Sequence, residues 1–231
     1  VTGPVIEIDL STSSVRDLNQ RLHRLDPGAD ERRWRVLNPN GAHAIAVGLT
    51  APIDIEIIGH VGYYCAGMNA AATVAIAGHA GTGVAENIMS GCVRVRGNAA
   101  QSAAASGRGG LVVIDGDASA RCGISMKGVD IVVGGSVGHM SAFMGQAGTL
   151  VVCGDAGPDL GDSIYEAEIF VAGEVASLGS DCVEKALDEA AAAHLAGLLE
   201  RAGVAADSAR FRRYGSARRL YNFRVDHAAE Y

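Results

Sequence analysis

Aromatic side chains are scarce. Four Phe, six Tyr and one Trp make up 5% of 231 residues, so the core is expected to be aliphatic and small. A sugar-binding face of stacked rings lacks its material. No apolar run reaches the roughly 20 residues that a membrane-spanning helix needs, and no basic-then-apolar leader opens the chain. A cytoplasmic protein without a membrane partner is expected. Cysteine is present without a pattern: Cys65, Cys92, Cys122, Cys153 and Cys182 are odd in number and never form Cys-x-x-Cys, which excludes a disulfide framework and a metal cluster of the usual spacing. Positive charge is not in excess either. With 19 Lys and Arg against 26 Asp and Glu, a net charge of −7 argues against a general nucleic-acid binder.

What the chain has instead is a repeat. Gly59, Gly78, Gly97, Gly116, Gly135, Gly154 and Gly173 stand at an unbroken spacing of 19 residues. Seven preassigned positions in a chain this rich in glycine would all be Gly by chance about once in a million trials. Each glycine closes a short β-branched run, such as Ile-Glu-Ile-Ile before Gly59 and Val-Arg-Val-Arg before Gly97. The first and third residues of every run are apolar and the second and fourth vary, which is the period of a strand with one buried face. Nineteen residues leave no room for a helix of usual length beside a strand and two turns, and the Leu-x-x-Leu-x-Leu pattern of leucine-rich repeats is absent. The spacing therefore predicts an all-β fold, a right-handed parallel β-helix of about seven single-stranded coils rising about 4.8 Å each.

Stacking turns Ile55/Ile57, Val74/Ile76, Val93/Val95, Val112/Ile114, Ile131/Val133, Leu150/Val152 and Ile169/Val171 into two internal columns. The repeat glycine is expected either to turn a corner at positive φ or to let coils approach closely. Cys65 and Cys122 share a slot but lie three coils apart, beyond disulfide reach, so all five cysteines are expected as free thiols. The same register sets Arg96 beside Asp115. It also stacks Arg108 on Lys127, with Gln146 next, so that two like charges fall about 5 Å apart unless the turns splay or an acidic partner shares them.

Three segments follow from this pattern. Residues 1–52 form a strand–helix cap with lead-in strands, 53–179 the β-helix, and 180–231 a C-terminal helix with a basic tail. Ile6, Ile8 and Leu10 alternate as in a strand. Val15, Leu18, Leu22 and Leu25 fall at helical spacing after the hydroxyls of Ser11 to Ser14, giving an apolar stripe that must dock on the solenoid or on a partner. The residues from Trp34 to Leu37 and from His43 to Leu49 read as further strands around an Asn38-Pro39-Asn40-Gly41 turn. Ser180 or Asp181 is placed to cap an Ala-rich helix carrying Val183, Leu187, Leu195, Leu198 and Leu199 and ending at Gly203. From Arg210 to Arg224 run six arginines without an acid, interleaved with Phe211, Tyr214, Tyr221 and Phe223. On an otherwise acidic chain such a tail suits an acidic partner better than nucleic acid.

Candidate chemistry is thin. Gly134-Gly135-Ser136-Val137-Gly138 matches a nucleophile elbow in letters, yet Ser136 holds the ordinary slot after a repeat glycine. Gly78, Gly81, Gly83 and Gly107-Arg108-Gly109-Gly110 resemble phosphate loops only in glycine content. His60, His79, Asn98, Asp117, Ser136, Asp155 and Glu174 form a polar column after the glycines. It suits either a metal site or a corner bonded to the next turn. No catalytic, cofactor or metal-binding residue is assigned. The part of the coil without strand alternation reads as interface loops, with Tyr63, Tyr64, Asn87, Arg108, Lys127 and Tyr165 as candidate partner contacts.

The segments Gly59-HVGYYCAGMN, Gly78-HAGTGVAENIMSG, Gly116-DASARCGISMKG and Gly154-DAGPDLGDSIYE resemble the glutamate synthase β-helix family, known by its Gly-x-Gly-x-Gly signature. The similarity extends over nearly the full chain, including the ARRLYNF tail, and is greatest to the small free-standing subunit of N-methylglutamate synthase. The β-helical subunit of formylmethanofuran dehydrogenase is a cousin. The resemblance implies a scaffold in a hetero-oligomer. A glutamine-amidotransferase-like subunit and a glutamate-synthase-like subunit holding FMN and an iron–sulfur cluster would carry the chemistry. A stand-alone β-solenoid enzyme or carbohydrate binder is the alternative of a different class.

Overall fold

The computed structural model describes residues 4–26, 28 and 32–218. The β-branched runs are strands: β3 (Asp54–Ile58), β4 (Thr73–Ile76), β5 (Cys92–Val95), β6 (Leu111–Ile114), β7 (Lys127–Val133), β8 (Ala147–Val152) and β9 (Glu168–Val171). They pair in parallel in chain order. Ile55, Val74, Val93, Val112, Ile131, Leu150 and Ile169 are register partners down the stack, so the chain is a parallel β-solenoid of about seven turns. All fourteen side chains of the two internal columns are at most 2% exposed. Arg96 Nη1 lies 3.3 Å from Asp115 Oδ2, as the 19-residue register requires.

Of the seven repeat glycines, only Gly59 has positive φ. Close approach accounts for the others. A Cβ on Gly78 would meet the Gly59 carbonyl oxygen at 2.4 Å. On the next five glycines it would come within 2.1–2.6 Å of the preceding coil. Past this corner a narrow second ladder runs from Val61 through Ala80, Ala99, Ala118, Val137 and Ala156 to Val175, small residues that let the coil stay flat.

The N-terminal end is closed by β1 (Val5–Asp9) and β2 (Arg33–Leu37), which extend the parallel sheet onto β3. Helix α1 (Val15–His23) is capped by the Ser14 hydroxyl, which accepts from the Asp17 N–H. Its apolar stripe docks on the solenoid itself, with Leu18 and Leu22 buried in the main core and Val15 and Leu25 against it. The segment from His43 to Leu49 is not a strand. Ala44, Ala46 and Gly48 have positive φ, so its apolar alternation belongs to a left-handed turn.

At the other end β11 (Arg212–Ser216) inserts antiparallel between β9 and β10 (Cys182–Lys185). This pairing claims Val183 for an exposed strand position. The last helix, α2 (Glu189–Ala202), therefore starts later than Ser180 or Asp181 would set it. Its N-cap is Asp188, and Gly203 at φ 61° closes it as expected. Leu195, Leu198 and Leu199 pack on the outward side chains Val113, Val132, Val151 and Phe170, a second core outside the coil. Arg94 ties this helix to the sheet. It binds Asp115 at 2.6 and 3.2 Å and donates to the Ala202 carbonyl at 2.7 Å, a cation at the negative end of α2. Arg212 and Arg213 of the basic tail are spent inside the chain, on Glu174, Glu168 and Asp188. The tail beyond Arg218, with Tyr221, Phe223 and Arg224, lies outside the described residues.

Candidate functional site

The polar column after the repeat glycines is a mortise between coils. His60 Nδ1 accepts from the His79 N–H at 3.0 Å, and His79 Nδ1 from Asn98 at 2.8 Å. Asn98 accepts from Asp117, Asp117 from Ser136, Ser136 from Asp155, and Asp155 from Glu174. His43, outside this column, makes a similar bond, its Nδ1 accepting from the Tyr63 N–H at 2.8 Å. Nδ1 of each imidazole is thus used by the backbone, and Ser136 Oγ is a rung. Bonding to the next turn is the role of this column. Among the described residues no three His, Cys, Asp or Glu side chains converge as metal ligands would. The thiols are unbonded, and burial pushes Cys65 and Cys122 up to about 12, far from a reactive thiolate.

The remaining side of the coil is built differently from the strands. Counting from each of the first six repeat glycines, the fifth, seventh and ninth residues are left-handed. In successive coils these are Tyr64, Ala66 and Met68, then Gly83, Ala85 and Asn87, then Ser102, Ala104 and Ser106. Arg121, Gly123 and Ser125 follow, then Met140, Ala142 and Met144, and then Asp159, Gly161 and Ser163. An L-residue loses about 1–2 kcal/mol in this conformation, so something must hold it there. Hydrogen bonds do. In one coil the Ser102 and Ser106 N–H groups donate forward, to Ala120 and Ile124, while Ala104 donates backward to Val84, all at 2.8–3.0 Å. Every coil repeats this alternation. The seventh residue is small and buried, and the ninth stands outward.

This left-handed edge starts with a side chain in place of a missing coil. Asn19 of α1 donates to the Ala44 carbonyl at 2.8 Å and accepts from the Ala46 N–H at 2.9 Å. His23 Nε2 sits 2.7 Å from the Val47 carbonyl. Neither residue is distinguished in the sequence, because a polar position on an amphipathic helix reads as a solvated one. Asn69, fully buried, bridges Ala72 and Ser90 in the same way.

All six candidate contacts are exposed: Tyr64 and Asn87 hold left-handed positions of this edge, Tyr63 precedes the first of them, and Arg108, Lys127 and Tyr165 stand two residues past the ninth position, Lys127 as the first residue of β7. The turns around Arg108 and Lys127 do not splay. Arg108 N–H donates to Ile88, Lys127 to Gly107 and Gln146 to Met126, each at 2.7 Å, so the two cations belong to adjacent, hydrogen-bonded coils. Neither makes an ion pair among the described residues, nor does Arg121 between them. Met68, Met89 and Met144 are exposed on or beside the same edge at 51%, 48% and 40%, and no periodicity in the sequence marks them as outward.

Two depressions lie elsewhere. A groove of about 430 Å³ crosses the outer sheet face at Arg33, Arg35, Glu56 and Thr73, where Arg35 is engaged by Glu56 and Glu7. One of about 270 Å³ lies between Tyr165 and β11, where Arg213 bridges Glu168 and Asp188. Ser216 and Thr73 supply hydroxyls to these linings, and among the described residues neither is hydrogen-bonded to a carboxylate; Ser216 Oγ accepts from the Arg218 N–H.

The chain is 56% identical over 225 residues to Protein GlxC of Rhizobium meliloti (strain 1021), covering 97% of this chain and 99% of that protein. It belongs to the GlxC family. Identity of this extent over nearly the whole length makes the 19-residue solenoid the expected architecture of the GlxC family as well. No family model and no solved structure matches the chain. Among the described residues no helix is long and apolar enough to cross a membrane.

Proposed function

We propose that this chain is the non-catalytic scaffold subunit of a glutamate-synthase-like complex. The complex named by the resemblance is N-methylglutamate synthase, which makes N-methylglutamate from methylamine and glutamate or glutamine. One observation carries the reading. The side chains with catalytic or metal-binding chemistry in the repeat hold one coil to the next, while the left-handed edge and the residues just past it present cations without an ion pair among the described residues and half-exposed apolar groups. That is the division expected of a protein whose work is to hold other proteins. The resemblance supplies the partners: a glutamine-amidotransferase-like subunit and a glutamate-synthase-like subunit, with FMN and an iron–sulfur cluster in the latter. Co-purification from cells expressing all three chains, followed by mass measurement of the intact complex, tests this. A hetero-oligomer containing both subunit types is the expected result, with no turnover by the isolated chain. A monomer that copurifies with neither overturns the reading.

A further inference from the structure

We infer that the left-handed edge is the seat of an acidic amphipathic helix supplied by a partner protein, lying along the solenoid axis across the coils that carry Met89, Arg108, Lys127 and Met144. The inference deepens the scaffold reading and rests on it for the source of the helix.

The charge pattern comes first. On a chain of net charge −7, Arg108, Arg121 and Lys127 are exposed and unpaired among the described residues. The coil segments carrying them, residues 100–109 and 119–128, which run from the left-handed positions to the start of the next strand, contain no acid. Unbroken backbone hydrogen bonding keeps Arg108 and Lys127 on neighbouring coils, and like charges held one coil apart repel unless an anion lies between them. The fold maintains that arrangement where a splayed turn would relieve it.

Spacing then selects the form of the anion. Coils repeat at about 4.8 Å, and carboxylates four residues apart on a helix face one another at about 5–6 Å. An extended strand separates side chains of one face by about 6.6 Å and drifts out of step within three coils. The apolar flanks set the length. Met89 lies one coil before Arg108 in the same slot, and Met144 one coil after Lys127 and two residues before the equivalent Gln146, so the patch spans three coil steps, about 14 Å, with its last apolar flank set to one side, a length of about three turns of helix at about 1.5 Å per residue. Exposed methionines at both ends suit a docked apolar side chain, since a flexible thioether adapts to its neighbour. An amphipathic helix with acids at its centre and apolar residues at its ends matches the patch in charge, pitch and length.

The five methionines make the test direct. In the full chain with methyl-labelled methionine, the probe is a three-turn acetylated peptide with central Glu at i and i+4 and Leu at either end. Expected are NMR shifts of the Met89 and Met144 methyls on titration, with buried Met126 (0% exposed) unmoved. Binding should weaken at least fivefold when salt rises from 50 to 300 mM (roughly, as screening of exposed charge predicts) and about tenfold or more in the double variant Arg108→Glu, Lys127→Glu. A peptide with Gln for Glu that binds equally well, shifts confined to other methionines, or self-association of the free chain through these methyls overturns the inference. A complex that assembles unchanged from the double variant overturns it while leaving the scaffold reading intact. A Glu peptide that binds while no complex forms leaves the docking face standing and removes the scaffold reading. A melting temperature of the double variant matching that of the unaltered chain confirms that fold is not what the charges serve.

Discussion

The solenoid has two outer faces, and they solve opposite problems with the same repeat. On the strand face many outward side chains find partners within the molecule. Arg35 lies between Glu7 and Glu56, Arg94 between Asp115 and the end of α2, and Val113, Val132, Val151 and Phe170 lie under that helix. On and just past the left-handed edge the backbone is as fully bonded, but Arg108, Arg121 and Lys127 are exposed without an ion pair among the described residues, and Met68, Met89 and Met144 stay 40–51% exposed. The first face is finished and the second is presented. A coil with strands on every side would alternate and need covering throughout; one left-handed side releases the repeat from that demand.

The largest test of this contrast is at the corner that joins the two faces. Gly78→Ala places a methyl against the Gly59 backbone, which cannot yield as a side chain would. A loss of about 3 kcal/mol, the upper range for overpacking, is expected in urea unfolding, with both faces lost in one transition. Two transitions would show that the faces are separately stable. A matched pair sharpens the contrast further. Ile58 and Met144 are nearly equally exposed, at 38% and 40%, but Ile58 ends a strand and Met144 sits at φ 53°. Ile58→Gly should cost about 1 kcal/mol, and Met144→Gly should be neutral or stabilising, because glycine removes the left-handed penalty. Equal losses would mean that the edge conformation carries no strain.

The smallest effect concerns acid. Accepting the Ala191 N–H, and beyond that the charge of Arg213, holds the Asp188 carboxyl below its ordinary 3.8. A carboxyl depressed in the folded state stabilises above its unfolded value and loses that contribution as pH falls through the folded one. The α2 cap should therefore loosen only below about pH 4, and Asp188→Ala should flatten the pH dependence of unfolding between pH 3 and 5. Unaltered acid sensitivity would place the titrating group elsewhere, with Asp162, lowered by Ser163 and the Ser180 N–H, as the next to vary.

How much was legible follows the same division. The strand face was readable because period two and period nineteen coincide at Val93, Val95 and their equivalents, so each strand repeats the evidence of the last. The left-handed edge left no such trace. Ala, Ser, Met, Arg and Tyr occupy most of its positive-φ positions, and the hints are scattered: Gly48, Gly83, Gly123 and Gly161, with Asn87 and Asp159. Ile45, Val47 and Leu49 even imitate a strand there. The late start of α2 was hidden because β10 is made by a partner strand some 30 residues away in the chain, a pairing that local propensity does not report. Asn19 and Arg94 went unremarked for a related reason. Each is an ordinary surface residue until the coil brings it to an orphaned carbonyl.

The mortise of His60, His79, Asn98, Asp117, Ser136 and Asp155 also has a direction. In every rung the acceptor belongs to the coil synthesised first and the donor to the coil synthesised next. At ribosomal speeds of about 5–20 residues per second a new coil emerges every one to four seconds or so. Each meets a completed row of acceptors on the coil before it, and this ladder asks nothing of the chain still to come. With α1 and His43 already in place at the first turn, the order of translation is also an order in which the coils can be laid, each on a surface that is ready for it.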